Sequence, residues 1–219
     1  MDFQQQRMTM LEHQIKARGI ENQEVLAAMA LVPREKFVSE DMLQLSYGDG
    51  ALPIDCAQTI SQPFVVAYML EKLAIQHHER VLEIGTGSGY NAAVISEVAR
   101  EVYTMDIIHA LLAEAAQKLN SMGYQNIHLK HGDGLKGWPE QAPFDVIILT
   151  AAPLEVEQEL FAQLAEGGRL IAPVGDKMQN LILYKKINGN IRANKLIPVR
   201  FVPMVDEQYL LDKGIIRKT

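Results

Sequence analysis

Hydrophobic and polar positions change period along this chain, and the changes mark out its elements. Met8, Leu11 and Ile15 recur at helical spacing over 3–18, a segment that ends at Gly19. Val25, Leu26 and Met29 lie on one face of a second helix over 22–31, with Asn22 as candidate N-cap. From Val32 to Ser61 no period holds. Pro33, Pro53 and scattered polar residues interrupt it, and about thirty such residues inside a compact domain suggest a functional loop. Pro63 suits the first turn of a helix running to about Ala74, with Ser61 or Gln62 as its cap.

From Arg80 onward, apolar strands alternate with helices. Strands are expected at 80–84, 101–105, 126–130, 144–150 and 168–174, with helices near 89–99, 108–121 and 154–165. This alternation predicts an α/β fold, a doubly wound, mostly parallel sheet with right-handed crossovers. After Gly175 the pattern changes. Leu181–Tyr184, the hairpin signal Ile187-Asn188-Gly189-Asn190 and a strand-like 196–205 predict antiparallel strands at one edge.

Composition narrows the class without redirecting it. The chain has 219 residues, 48% of them hydrophobic, enough for one domain with a sizeable core. A net charge of −6 gives no global attraction to nucleic acid or anionic lipid. One cysteine, Cys56, excludes an internal disulfide and fits a reducing compartment. The first residues are polar, and no apolar run reaches the roughly 18 residues of a membrane span, so a cytoplasmic protein is expected.

The chemistry concentrates at Val81-Leu-Glu-Ile-Gly-Thr-Gly-Ser-Gly89. A buried strand that turns into a helix at Gly85, Gly87 and Gly89 lets backbone approach a ligand closely and aims free N–H groups at an anion. Tyr90 stands where a dinucleotide fingerprint wants its third glycine. Asp106, 21 residues beyond Gly85, ends the next strand, where a carboxylate can accept from ribose hydroxyls. Glu83, inside the first strand, needs a partner: the cofactor's amino group or loop amides would both serve.

His131-Gly-Asp-Gly134 follows the third strand, so Asp133 is placed either to accept from an exocyclic amine or to cap its own turn. Gln58-Thr-Ile-Ser-Gln-Pro63 puts two hydroxyls at a helix start; they can cap it or orient an anionic acceptor. Asp145 heads its strand at the far end and reads as structural, and Cys56 has no assigned base. The six histidines show no metal-ligand spacing, and neither a Walker lysine nor a nucleophile elbow is present. No metal is expected.

The run from Val81 to Tyr90 resembles the first motif of S-adenosylmethionine-dependent methyltransferases. Joined to Val32–Val38, Ala51–Ile54, Gln58–Pro63, His131–Gly134, Pro143–Pro153 and Val199–Met204, it is similar to the protein-L-isoaspartate O-methyltransferase family, over roughly residues 7–205. The resemblance implies a single Rossmann-like methyltransferase domain over 1–219. Its parts would be an N-terminal helical and substrate-loop region (1–79), a cofactor core (80–175), and C-terminal strands and tail (176–219).

By resemblance, Glu83, Gly85, Thr86, Gly87, Asp106, Asp133 and Gly134 bind S-adenosyl-L-methionine. Thr59, Ile60 and Ser61 line the substrate site, and Ser61 is the active-site residue. Isoaspartyl-containing proteins and peptides would be the substrates, acted on by a monomer without nucleic-acid or membrane partners. Asp55-Cys56-Ala57 departs from the glycine-rich small residues usual before Gln58. Methylation of a small molecule or RNA, nicotinamide-dependent dehydrogenation, and a non-catalytic cofactor-binding module are the alternatives.

Overall fold

The computed structural model describes residues 2–215; the last residues of the expected C-terminal tail, 216–219, lie outside it. The N-terminal helix is wound unevenly. Helix α1 (Phe3–Met10) passes into a wide π turn over Leu11–Ile15 and a 3₁₀ turn over Lys16–Arg18. The wide turn resets the helical phase, so Met10, Leu11 and Ile15 are buried while Met8, expected on the apolar face, is 44% exposed. Helix α2 (Gln23–Leu31) begins as expected at Asn22, whose side-chain oxygen accepts from the Glu24 and Val25 N–H groups.

The aperiodic stretch holds two 3₁₀ turns, Arg34–Phe37 and Glu40–Leu45, and a small hairpin. Strands β1 (Leu52–Pro53) and β2 (Thr59–Ile60) pair antiparallel, Leu52 opposite Ile60. At the tip Cys56 and Ala57 have φ of 57° and 56°. Two adjacent left-handed residues are what a tight hairpin turn demands, and such turns normally use Asn or Gly. Helix α3 (Pro63–Leu73) follows with Pro63 in its first turn; its cap residue is Gln62, and no side chain bonds the cap. Ser61 is therefore not the cap.

Seven strands form the main sheet: β3 (Arg80–Ile84), β4 (Glu101–Asp106), β5 (Ile127–His131), β6 (Phe144–Leu149), β7 (Leu164–Val174), β8 (Gln179–Ile187) and β9 (Asn190–Val199). Their order is β5-β4-β3-β6-β7-β8-β9. The pairs from β5 to β7 are parallel and the last two antiparallel, as the sequence pattern predicts. Helices α4 (Tyr90–Ser96), α5 (His109–Ser121), α6 (Gln158–Ala162) and α7 (Glu207–Asp212) complete the fold. β3 and β6 are central and nearly wholly buried, which explains why they are apolar apart from Arg80, Glu83 and Asp145.

Three boundaries differ from expectation. Helix α6 is five residues rather than 154–165, because β7 begins early, at Leu164 opposite Phe144, before a register shift. The expected strand 196–205 stops at Val199. Beyond it, Ala152 N–H donates to Val202 C=O and Met204 N–H to Ala152 C=O, both at 2.8 Å, so this segment runs along the exit of β6 instead. The hairpin turn between β8 and β9 is as predicted, with Asn188 and Gly189 at φ 52° and 74°. Glu166 receives both backbone N–H groups of that turn, at 2.5 and 3.0 Å.

The amino ends of the strands are tied off structurally. Arg169 is ion-paired with Glu79 and donates to the Leu73 and Ala74 carbonyls, closing the end of α3 onto the sheet. Asp145 accepts from Arg80 N–H at 2.8 Å, the structural role its position suggested.

Candidate functional site

Chain connections leave β3 and β6 in opposite directions along the sheet, and a crevice opens beyond their carboxyl ends. It spans about 860 Å³ with its mouth and the open solvent there included. Gly85, Thr86 and Gly87 form one wall and Asp106 the next. Thr59, Ile60 and Ser61 close the opposite side, and Gly134 borders the remaining edge. Residues separated by up to 75 positions in the chain thus meet in one cleft. Glu83 and Asp133 do not line it.

The glycine turn is held by β4. The Gly85 and Thr86 N–H groups both donate to the Met105 carbonyl, at 2.8 and 3.1 Å. Gly85 has φ 101°, and a Cβ there would stand 2.2 Å from Thr150 Oγ1. That hydroxyl donates to the Gly85 and Ile84 carbonyls, pinning the turn to the end of β6. Only glycine fits. A Cβ on Gly87 would meet only Ile54 Cδ1, at 3.7 Å, so bare backbone leaves that wall recessed.

Asp106 organises the second wall. Its Oδ2 accepts from Gly87 N–H and its Oδ1 from Ile108 N–H, each at 2.9 Å. Each oxygen keeps a lone pair for a further donor. Burial pushes its pKa up, and the Gly87 and Ile108 N–H groups oppose that shift.

Glu83 corrects the expectation of a cofactor contact. It is fully buried behind the glycine turn, and neither of the anticipated partners is used. Asn91 Nδ2 donates to one oxygen at 2.7 Å and Thr104 Oγ1 to the other at 2.5 Å. Thr104 in turn contacts Thr86 Oγ1 at 2.7 Å. Burial raises the Glu83 pKa to about 7, against the pull of those two donors. The Thr86 side chain faces this network, so only its backbone is left to the cleft.

Asp133 realises the simpler of its two readings in part. Its Oδ1 accepts from Leu135 N–H at 3.0 Å, capping the 3₁₀ turn Gly134–Lys136, and its Oδ2 lies 3.8 Å from Lys136 Nζ. Short-range capping is the reason it stands beside the cleft rather than in its wall.

On the wall formed by Thr59–Ser61, Ser61 Oγ has no protein hydrogen-bond partner among the described residues, and it does not cap α3. Its backbone carbonyl accepts from Arg34 Nη2 at 2.8 Å. Arg34 is wholly buried; its Nε donates to Ser46 C=O, and its guanidinium carbon lies 4.9 Å over the Tyr90 ring. Arg34 Nη1 and the Tyr90 hydroxyl are buried without partners. The sequence used Tyr90 only to exclude a dinucleotide. Here its ring packs edge-on against Phe37 at 5.6 Å and joins the N-terminal region to the glycine turn. Arg34, Thr150 and Met204 were not picked out as site residues. Arg34 is one of three consecutive charged residues, Arg34-Glu35-Lys36, and nothing in that pattern singles it out as the wholly buried one.

Burial and the neighbouring Asp55, Asp106 and Glu114 carboxylates push the Cys56 thiol pKa up, the opposite of the shift that activates a thiol. It packs with Ile108, Leu111 and Leu210 of α7, closing the hairpin tip over the Asp106 end of the cleft.

These features suit a nucleoside-bearing sulfonium cofactor. Asp106 offers acceptors for a diol, and Ile84, Met105, Ile108 and Met204 offer apolar surface for a flat base. The recess at Gly87 admits a group close against the backbone. Among the described residues no group of three or more histidine, cysteine or carboxylate side chains could hold a metal.

The family model described as protein-L-isoaspartate(D-aspartate) O-methyltransferase matches residues 5–209. Curated proteins named protein-L-isoaspartate O-methyltransferase from Opitutus terrae and Gloeobacter violaceus are each 49% identical to this chain. They cover 93% and 91% of it, and 88% and 98% of their own lengths. A solved structure of that name superposes with a TM-score of 0.84 at 32% identity, over 91% of this chain and 66% of that longer one. A Plasmodium falciparum protein-L-isoaspartate O-methyltransferase, solved with S-adenosyl-L-homocysteine, gives 0.79 at 26% identity, over 90% of this chain and 97% of that one.

Proposed function

The chain belongs to the protein-L-isoaspartate O-methyltransferase family, and from that premise we infer what its cleft does. The protein transfers a methyl group from S-adenosyl-L-methionine to the free α-carboxylate of L-isoaspartyl residues in damaged proteins and peptides. The observation that carries the residue-level reading is the hydroxyl of Ser61. It has no hydrogen-bond partner among the described residues although it lies in the wall of the cleft.

When bound, the cofactor supplies an electrophilic methyl group on a sulfonium centre. The residues of this chain hold the two reactants. Asp106 accepts from the ribose hydroxyls, and the Gly85–Gly87 backbone takes the amino-acid end. Gly134 borders the adenine, and Asp133 uses its remaining acceptor capacity at that edge. Glu83 acts one layer behind, fixing Thr104 and through it the Thr86 position. Thr59 and Ser61 donate hydroxyl hydrogens to the substrate carboxylate, with Ile60 keeping water out.

No general base is required. A carboxylate with an ordinary pKa near ~3.9 is already ionised at neutral pH. The work left to the protein is orientation and exclusion of water. The methyl ester then closes to a succinimide as the adjoining backbone nitrogen expels methanol, and hydrolysis returns part of it as normal aspartyl.

The reading includes a single catalytic unit over the chain, its N-terminal part (1–79) building the acceptor side. It works as a monomer in the cytoplasm. No helix among the described residues is long and apolar enough to cross a membrane.

The test uses labelled S-adenosylmethionine and paired synthetic peptides that differ only in isoaspartyl or normal aspartyl. Base-labile label on the isoaspartyl peptide alone is the expected result. Cofactor binding without label on either peptide would overturn the acceptor assignment.

A further inference from the structure

Thr59 and Ser61 border two spaces at once. One is the cofactor cleft, and the other is an open groove that leads away from it between the start of α3 and the end of β9. Phe64 and Phe201 give this groove apolar walls. It continues over Pro198–Phe201 into a second depression, bounded by the β7–β8 turn and the exit loop of β6. We propose that this continuous face is the track for the polypeptide flanking the isoaspartyl residue, and that it selects acidic flanks. The proposal rests on the reading of the cleft as the site of methyl transfer.

Charge is the main argument. The chain as a whole carries −6, yet Lys177, Lys195 and Arg200 all line the track. None of the three is in an ion pair among the described residues, so their charges face the track unmatched. Asp176 is the one carboxylate in the walls, and Arg18 at the near end is already matched by Asp49. A cluster of unmatched cations on an acidic protein attracts anionic segments and repels basic ones.

Two further observations fit a peptide. Leu154 and Met178 stand 76% and 86% exposed in and beside these cations, a mixture suited to an irregular chain with apolar and acidic side chains. Edge protection does not account for the charges. Lys195 does lie on the free edge strand β9, where lysine commonly blocks unwanted pairing. But Lys177 lies in the turn before β8 and Arg200 follows the end of β9, where there is no strand edge to guard.

The experiment measures kcat and KM for isoaspartyl peptides carrying a run of Glu, Gln or Lys, placed on either side of the isoaspartyl residue. The expected result is a KM lower by about fivefold for the Glu peptide than for the Gln peptide on one side, with kcat similar. The Lys peptide is expected to be poorest, and high salt should erase the order. In the charge-reversed variant K177E/K195E the order of Glu and Lys peptides should invert, the Gln peptide serving as the measure of intact fold and chemistry. Equal KM for all three peptides, or a preference that survives both salt and charge reversal, overturns the track. Failure to methylate even the Gln peptide overturns the reading of the cleft itself, and the track with it.

Discussion

Thr104 Oγ1 donates to Glu83 Oε2 at 2.5 Å, wholly out of contact with solvent, one layer beneath the glycine turn. Because Thr104 spends its hydrogen there, the 2.7 Å contact with Thr86 is a donation from Thr86 to Thr104. The chain Thr86 → Thr104 → Glu83 therefore runs in one direction and ends on a carboxyl that titrates near neutrality.

Stability should follow that titration. Burial raises the Glu83 pKa from 4.5 to about 7, so between those values the folded protein holds a proton that the unfolded chain has released. The contribution is complete below the lower value and is lost as pH rises to the upper one, by about 3 kcal/mol at most. Urea unfolding across that window should show the decline, and Glu83→Gln should flatten it.

Asp106→Asn keeps the shape of the side chain but turns one acceptor into a donor that faces an N–H group. Affinity for S-adenosylhomocysteine should fall at least about tenfold, the worth of a hydrogen bond to a charged group. Isothermal titration calorimetry reads this directly, and circular dichroism checks that the fold survives.

Ser61→Ala removes a hydroxyl with no hydrogen-bond partner among the described residues. The expected loss is about tenfold in kcat/KM toward an isoaspartyl peptide, with cofactor affinity retained. Steady-state kinetics beside a cofactor titration separates the two. Unchanged kcat/KM would remove Ser61 from the acceptor site.

Ala57→Gly should stabilise the protein by about 1 kcal/mol, because a left-handed backbone costs an L-residue about that much and glycine nothing. Ala57→Val should do the reverse, since a β-branched residue is still less suited to φ 56°. Thermal unfolding of the two variants brackets the strain in the hairpin tip. It also tests whether the departure at Asp55-Cys56-Ala57 costs the fold anything.

The sheet was legible in the sequence because its central strands are buried on both faces. Val146–Leu149 is apolar throughout and Val81–Ile84 apolar apart from the hydrogen-bonded Glu83, and Gly85 had to lack a side chain. The acceptor side was legible only as a cluster of hydroxyls. Whether Ser61 capped α3 depended on the geometry of one turn, which composition does not encode. Glu83 and Asp133 show the same limit from the other side. Their placement near the carboxyl ends of the strands was readable from the sequence, but their partners were not. Asn91 and Thr104 take both oxygens of Glu83, and Leu135 takes one of Asp133, so neither carboxylate forms the cleft wall. Arg34 was the least visible, for it reaches across 27 residues to the Ser61 carbonyl.

The β8–β9 turn gives this enzyme a stake in its own chemistry. Asn-Gly is the dipeptide in which the following backbone nitrogen most readily attacks the asparagine side chain, closing the same five-membered ring that repair passes through. In this turn the Gly189 N–H is held by Glu166 at 3.0 Å and the Asn188 N–H by the same carboxylate. The attacking nitrogen is occupied, and both dihedral angles are fixed in the left-handed region. One glutamate thereby fixes the turn at which this protein carries, in its own chain, the dipeptide most exposed to the damage its family repairs.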